Sequence, residues 1–184
     1  VVRTIEEQGW KVGKEFLVGV APRRDWFISP DKDLKNLPRV FGGTTPETTQ
    51  AMKEVLGIVC DNLVPASSHR AAEMVKSVEN MYRHVGIVIA MQLAKAYPDV
   101  DILEVCRLVG TKWNIPTYFP SVGTGGYCIP VSSKYVLQGA KYPKHLDILK
   151  QAMEWDTNQP YLVADMVHKK IGNGTVGILG LSYK

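Results

Sequence analysis

Two groups of residues have types and spacings that could do chemistry. The first is the run Phe119-Pro120-Ser121-Val122-Gly123-Thr124-Gly125-Gly126-Tyr127-Cys128-Ile129-Pro130. Its three clustered glycines let the backbone bend sharply and approach a ligand closely, with N–H groups facing inward. No Gly-Lys-Ser/Thr follows, so the run is not a nucleotide P-loop. Cys128 comes directly after the glycines, and a helix is predicted to begin at Ser132 or Ser133. The positive end of that helix would favour negative charge on the sulfur. A thiolate beside a Gly-rich bend presents a nucleophile to a substrate; the alternative is a tight turn followed by a buried structural cysteine. The second group is Lys76 and Asn80, whose i, i+4 spacing sets an ammonium beside an amide on one helix face. That pair suits a developing oxyanion, and the alternative is a solvated helix face. His69, His84, His145 and His168 share no metal-ligand spacing, so no metal site is expected.

The elements that must position these groups are read from caps, breakers and periodicity. Residues 1–9 read as the end of a helix stopped by Gly9, and Glu15 to Pro22 as a buried strand centred on Phe16–Val20. Arg23 to Pro38 reads as a loop, and Arg39 to Gly43 as a short strand closing on a glycine turn. This order suits the last part of an α/β domain. Thr45 as N-cap, Pro46 at N1 and Glu47 in the first turn open a helix predicted to run to about Leu63. Ser67 or Ser68 then caps a long helix from about His69 to Tyr97, with Glu73, Lys76, Asn80 and His84 on one face. From Val85 to Met91 that helix is apolar all round, which predicts burial on every side, by the chain's own core or by a second copy. A helix from Asp101 to about Trp113 follows, then a loop over 114–131. Further helices are predicted from Ser132 or Ser133, from Pro143 or Lys144 to about Asn158, and from Pro160 to Gly172. Val176 to Leu181 reads as a strand.

The 184 residues are 45% hydrophobic and 22% charged, which fits a soluble globular chain and excludes a disordered chain, a collagen or a cysteine-dense mini-protein. A net charge of +4 is too small an excess to point to nucleic acid. Cys60, Cys106 and Cys128 are widely spaced without a C-x-x-C, which fits free thiols in a reducing compartment and a cytoplasmic location. The longest apolar stretch is too short for a bilayer span, and no signal peptide is visible, so no membrane association is expected. The chain begins at Val1 and stops at Lys184, just after a strand-like run, so it is expected to be part of a longer protein.

The segment Ala71-Ala72-Glu73-Met74-Val75-Lys76-Ser77-Val78-Glu79-Asn80, joined to Gly-Gly-Tyr-Cys-Ile-Pro about fifty residues on, resembles the UDP-glucose/GDP-mannose dehydrogenase family, NAD-dependent nucleotide-sugar 6-dehydrogenases. Pro38 to Gly43 and Val176 to Lys184 fall where the family has similar segments. The resemblance implies a mainly α fold: a central helical dimerisation domain, like the C-terminal part of 6-phosphogluconate dehydrogenase, flanked by remnants of two α/β Rossmann-like domains. Residues 1–44 would be the tail of the NAD-binding domain and 45–172 the central domain with the catalytic loop. Residues 173–184 would be the first strand of the nucleotide-sugar domain.

The resemblance further implies oxidation of the sugar C6 alcohol to a carboxylate in two hydride transfers, through a thiohemiacetal and thioester on Cys128. Lys76 and Asn80 match the pair that stabilises oxyanions and positions water. The backbone of Thr117, Tyr118, Phe119, Pro120 and Ser121, with Gly125, matches the loop that holds the substrate. A homodimer through the 69–97 helix is implied. The one G-x-G-x-x-G spacing, Gly172 to Gly177, leads from a predicted helix into a predicted strand rather than from strand to helix, so the dinucleotide fingerprint is not present here and the chain alone is not expected to bind NAD. Arg23 and Ser132 stand where many members have acids tied to water activation and proton handling, so this chain departs from the pattern there. The phrases Pro65 to Lys76 and Cys128 to Val131 look more like the UDP-N-acetylhexosamine branch, while Tyr127 looks more like the UDP-glucose branch. Two other readings stay open: a dimerisation module without catalysis of its own, and an unrelated cysteine-nucleophile acyltransferase or hydrolase. The latter would need a base near the thiol.

Overall fold

The computed structural model describes residues 1–24 and 33–180. In chain order the elements are α1 (Val2–Glu7), β1 (Gly19–Val20), β2 (Arg39–Gly43), α2 (Pro46–Gly57), β3 (Leu63–Pro65), α3 (His69–Ala96), α4 (Ile102–Val109), α5 (Cys128–Gln138), a 3-10 turn (Pro143–His145) and α6 (Asp147–Ile171). The fold is mainly helical. It divides into two compact units, Val1–Lys76 and Ser77–Lys184, so that α3 begins in the first and continues through the second.

The first unit is built on a three-stranded sheet in the order β1-β2-β3. β1 pairs antiparallel to β2, with Gly19 opposite Gly43, and β2 pairs parallel to β3, with Arg39 opposite Leu63. Phe41, fully buried, is the centre of this sheet. Thr45 caps α2, its Oγ1 accepting the Thr48 N–H at 3.1 Å, with Pro46 and Glu47 in the first turn. Ser68 caps α3 by accepting the Ala71 N–H at 3.2 Å. These local signals act as the sequence predicts, because an N-cap satisfies donors that have no intrahelical partner.

Long-range pairing overrides local reading at two places in this unit. The strand predicted over Glu15 to Pro22 shrinks to Gly19–Val20, and Phe16 and Leu17 are exposed. Phe16 instead sets its ring edge-on to Trp10. The helix predicted to reach Leu63 ends at Gly57, and residues 63–65 pair with β2 instead. A pairing with a distant strand leaves no local periodicity to read. The predicted loop from Arg23 to Pro38 lies partly outside the described residues.

The second unit packs α3, α4, α5 and α6. Val88 and Met91 of α3 meet Ala152 of α6, with Trp155 beside them. Ala90 meets Ile102 and Cys106 of α4, with Tyr118 against them. Gly86 makes room for this: a β-carbon there would collide with the Tyr118 ring. Val88, Ala90 and Met91 are buried, whereas Ile89 is 50% exposed, so the Val85–Met91 stretch is covered on one side and open on the other. Among the described residues no helix is long and apolar enough to cross a membrane.

Three further sequence expectations change here. α4 ends at Val109 rather than near Trp113. α5 starts at Cys128, not at Ser132 or Ser133. Pro130 falls in its first turn, where a missing N–H removes no intrahelical bond, so proline does not delay the helix. α6 runs unbroken through Pro160 from Asp147 to Ile171. Proline there forfeits one bond, but Leu149, Ala152 and Gln159 of the same helix are buried, and packing holds the helix continuous across the gap. Residues 173–180 form no strand, and Leu181–Lys184 lie outside the described residues. An extended run becomes a strand only by pairing, and no partner for it stands among the described residues.

Candidate functional site

Cys128 is the first residue of α5 and is exposed, whereas Cys60 and Cys106 are buried. The turn before it is made by backbone that side chains resist: φ is +143° at Gly123, +61° at Gly125 and +68° at Gly126. Glycine carries no β-carbon penalty in that region. Ser121 closes the start of the turn by donating its hydroxyl to the Gly123 carbonyl at 2.6 Å. Thr124 carries the one side chain within residues 123–126. It is gripped by Asp156 of α6: its N–H reaches Oδ1 at 2.8 Å and its hydroxyl reaches Oδ2 at 2.5 Å.

Asn80 is buried on α3, not solvated. Its amide donates to Ser132 Oγ at 2.9 Å, across 52 residues of sequence. Ser132 lies four residues, about one helical turn, after Cys128 on α5. Arg83 donates to the Asn80 carbonyl oxygen at 3.4 Å. Ser132 thus occupies its place as a partner for Asn80. Lys76 sits one turn before Asn80 on α3, half-buried, and closes the first unit.

The residues around Tyr118 divide by role. Tyr118 spends its side chain on the packing against Gly86, and Thr117 lies against Gly110. Phe119 is partly exposed.

Sequence reading did not find the role of a deeply buried polar group near the site. His84 is 2% exposed. Its Nδ1 lies 2.8 Å from Ser133 Oγ on α5, and its Nε2 lies 3.2 Å from Asp156 Oδ2, off the ideal hydrogen-bond direction. His84 was legible as a member of the Asn80 face, but nothing in the sequence pointed from it to Asp156. Both ring nitrogens face partners, so His84 is not poised as a base for Cys128, which weakens the hydrolase alternative. Burial holds the imidazole below the ordinary histidine value, and the Asp156 carboxylate acts in the opposite direction without overcoming it. The folded chain therefore keeps His84 neutral where the unfolded chain takes up a proton. Stability from this group is present above about pH 6.5 and is lost as the pH falls below it. Urea unfolding of the chain at about pH 7.5 and about pH 5.5 should show a larger loss on acidification than in His84→Gln. Equal losses would contradict this assignment.

A cavity of about 550 Å³ lies in the first unit and is lined by Thr44, Thr45, Lys53, Ser67 and His69 among others. The buried Thr44 Oγ1 beside it has no hydrogen-bond partner among the described residues. A dinucleotide needs an open glycine turn between strand and helix for its pyrophosphate. Here the β2–α2 turn is closed by the chain itself: a β-carbon on Gly42 would strike the Ser68 backbone, and one on Gly43 would strike Thr48. These residues do not fit a dinucleotide cradle.

Comparison with known proteins agrees with this architecture. Residues 70–158 match the central domain of the UDP-glucose/GDP-mannose dehydrogenase family. Protein CapL of Staphylococcus aureus is 31% identical over 190 residues, covering 96% of this chain and 44% of that protein. The UDP-N-acetyl-D-mannosamine dehydrogenase of Methanocaldococcus jannaschii is 28% identical over 175 residues, covering 93% of this chain and 40% of that protein. The chain thus spans well under half the length of these curated relatives. In fold it is similar to the solved UDP-D-ManNAc dehydrogenase of Pyrococcus horikoshii, with a TM-score of 0.79 at 23% identity over 92% of this chain and 41% of that one. It is also similar to a UDP-glucose dehydrogenase from Pyrobaculum islandicum, with a TM-score of 0.76 at 20% identity over 92% of this chain and 40% of that one.

Proposed function

Since residues 70–158 belong to the central domain of the UDP-glucose/GDP-mannose dehydrogenase family, we propose that the chain is part of an NAD-dependent nucleotide-sugar 6-dehydrogenase. Its nucleophile is Cys128 and its substrate a UDP-N-acetylhexosamine. The observation that carries this reading is the exposed Cys128 at the start of α5, directly after the glycine turn, with Asn80 tied to the next turn of the same helix. The relatives whose names specify UDP-N-acetyl-D-mannosamine support an N-acetylated sugar over UDP-glucose.

The sugar C6 alcohol loses a proton and a hydride to become an aldehyde. The Cys128 sulfur attacks the aldehyde carbon, and the new C–S bond leaves a negative oxygen on that carbon. Lys76 and Asn80 stabilise this charge, which exists only after attack and so lowers the barrier rather than binding the substrate more tightly. Loss of a second hydride gives the thioester. Water then adds to its carbon, the C–S bond breaks, and the carboxylate leaves with the thiol restored. The Thr117–Ser121 backbone and Gly125 hold the diphosphate and sugar. NAD, the hydride acceptor by family resemblance, would be held by residues other than these. In this reading residues 1–44 are the tail of the NAD domain, 45–172 the central domain and 173–184 the opening of the nucleotide-sugar domain.

The complete natural reading frame should produce reduced nicotinamide and a uronate from a UDP-N-acetylhexosamine faster than from UDP-glucose. Equal failure on every nucleotide sugar would remove the reading.

The half-open apolar side of α3 supports a homodimer through residues 69–97. Ile89 tests it, because it is exposed in the single chain, whereas Val88 is buried in the chain's own core. Ile89→Asp should convert a dimeric mass to a monomeric one by light scattering without loss of helicity. A variant that stays dimeric would exclude this interface.

A further inference from the structure

We propose that Asp156 and His84 are positioning residues that hold the Cys128-bearing segment at both of its ends, Asp156 through Thr124 and His84 through Ser133. This deepens the reading of Cys128 as the nucleophile and rests on it for its functional meaning. The geometry itself does not.

The argument begins with the turn. Residues 123–126 contain three glycines, and such backbone loses more freedom on ordering than any other. Something must supply that order if the following cysteine is to be presented in one orientation. Thr124 is the handle, and Asp156 takes it by two hydrogen bonds on two different oxygens, which fixes direction as well as distance. Asp156 is in turn set against His84 on α3, and His84 against Ser133 on α5. Ser133 is fully buried and lies five positions after Cys128; Thr124 lies four before it. The chain of contacts therefore leaves the segment on one side of the cysteine, passes through α6 and α3, and returns on the other side.

One proton assignment suits the row best, although His84 Nε2 approaches Asp156 without a well-aligned hydrogen bond. Thr124 gives two donors to an ionised carboxylate, which only accepts. The His84 Nε2–H faces that same carboxylate, and Nδ1 accepts the Ser133 hydroxyl proton. The opposite tautomer would turn a nitrogen lone pair toward a carboxylate oxygen. The row has the order Ser–His–Asp found in hydrolases, but Ser133 has no exposed surface to meet a substrate. Its office is to hold, not to react.

The test uses the full chain and iodoacetamide, with labelling of each cysteine followed by peptide mass spectrometry. Buried Cys60 and Cys106 report folding in the same tube. Thr124→Val should speed Cys128 alkylation by about threefold or more, because the exposed thiol is then no longer held in one orientation and samples more reactive ones. Thr124→Ser, which keeps the hydroxyl, should restore the wild-type rate, and Asp156→Ala should match Thr124→Val. Rates within about 1.5-fold of wild type in both Thr124→Val and Asp156→Ala would overturn the proposal. So would labelling of Cys60 and Cys106 in Thr124→Val, since the clamp would then be serving the core. If Asp156→Ala alone exposes the buried cysteines, the Thr124 pair decides. In the complete reading frame Thr124→Val should lower kcat by about tenfold at little-changed KM. If instead that protein makes no uronate at all, the dehydrogenase reading fails while the alkylation result still judges the clamp.

Discussion

Cys128→Ala in the complete reading frame should abolish uronate formation, with a loss of about a thousandfold or more, as removal of a covalent nucleophile does elsewhere. The reason is chemical. Without the sulfur no C–S bond forms, no thioester accumulates, and the second oxidation has no bound intermediate to act on. The variant should fold normally, because Cys128 is exposed at the first position of α5 and alanine is the better helix former. Product is measured as uronate by chromatography, alongside a melting curve that should match the parent. A folded variant with full activity would end the covalent mechanism, whatever the substrate.

Lys76→Ala should lower turnover by about a hundredfold, which corresponds to about 2.7 kcal/mol of lost transition-state stabilisation. The ammonium is asked to meet a charge that develops only when sulfur adds to the aldehyde, so the loss should fall on kcat and leave KM nearly unchanged. Lys76→Arg should recover only part of the rate, because a planar guanidinium does not place its charge where a compact ammonium does. Asn80→Ala should be less clean. It also leaves buried Ser132 without the amide it accepts from, and so should cost stability as well as rate. Turnover of Lys76→Ala within about threefold of the parent would return Lys76 to an ordinary helix-face lysine.

Much of this protein could be read one residue at a time. The caps at Thr45 and Ser68 act where the sequence places them, because an N-cap needs only a side-chain oxygen and an N–H two or three residues on. The Gly123–Gly126 bend follows from three residues that alone tolerate its positive φ. The family was visible in two short runs, around Lys76–Asn80 and around Cys128, and residues 70–158 match it. These signals are local, and local chemistry does not depend on what the chain meets later.

Tertiary structure decided the rest, wherever two distant segments had to agree. Leu63–Pro65 became a strand because β2 was beside it. Pro160 did not end α6 because the flanking residues of that helix were already buried. Tyr118 became a packing residue because Gly86 left a gap for its ring. Asn80 and His84 were readable as one polar stripe, which by itself implies a face in water. Folding instead set Ser132 and Ser133 opposite them, across 52 and 49 residues, and Asp156 beside His84. A polar group removed from water must find a partner, and only the packed chain determines which residue that partner is.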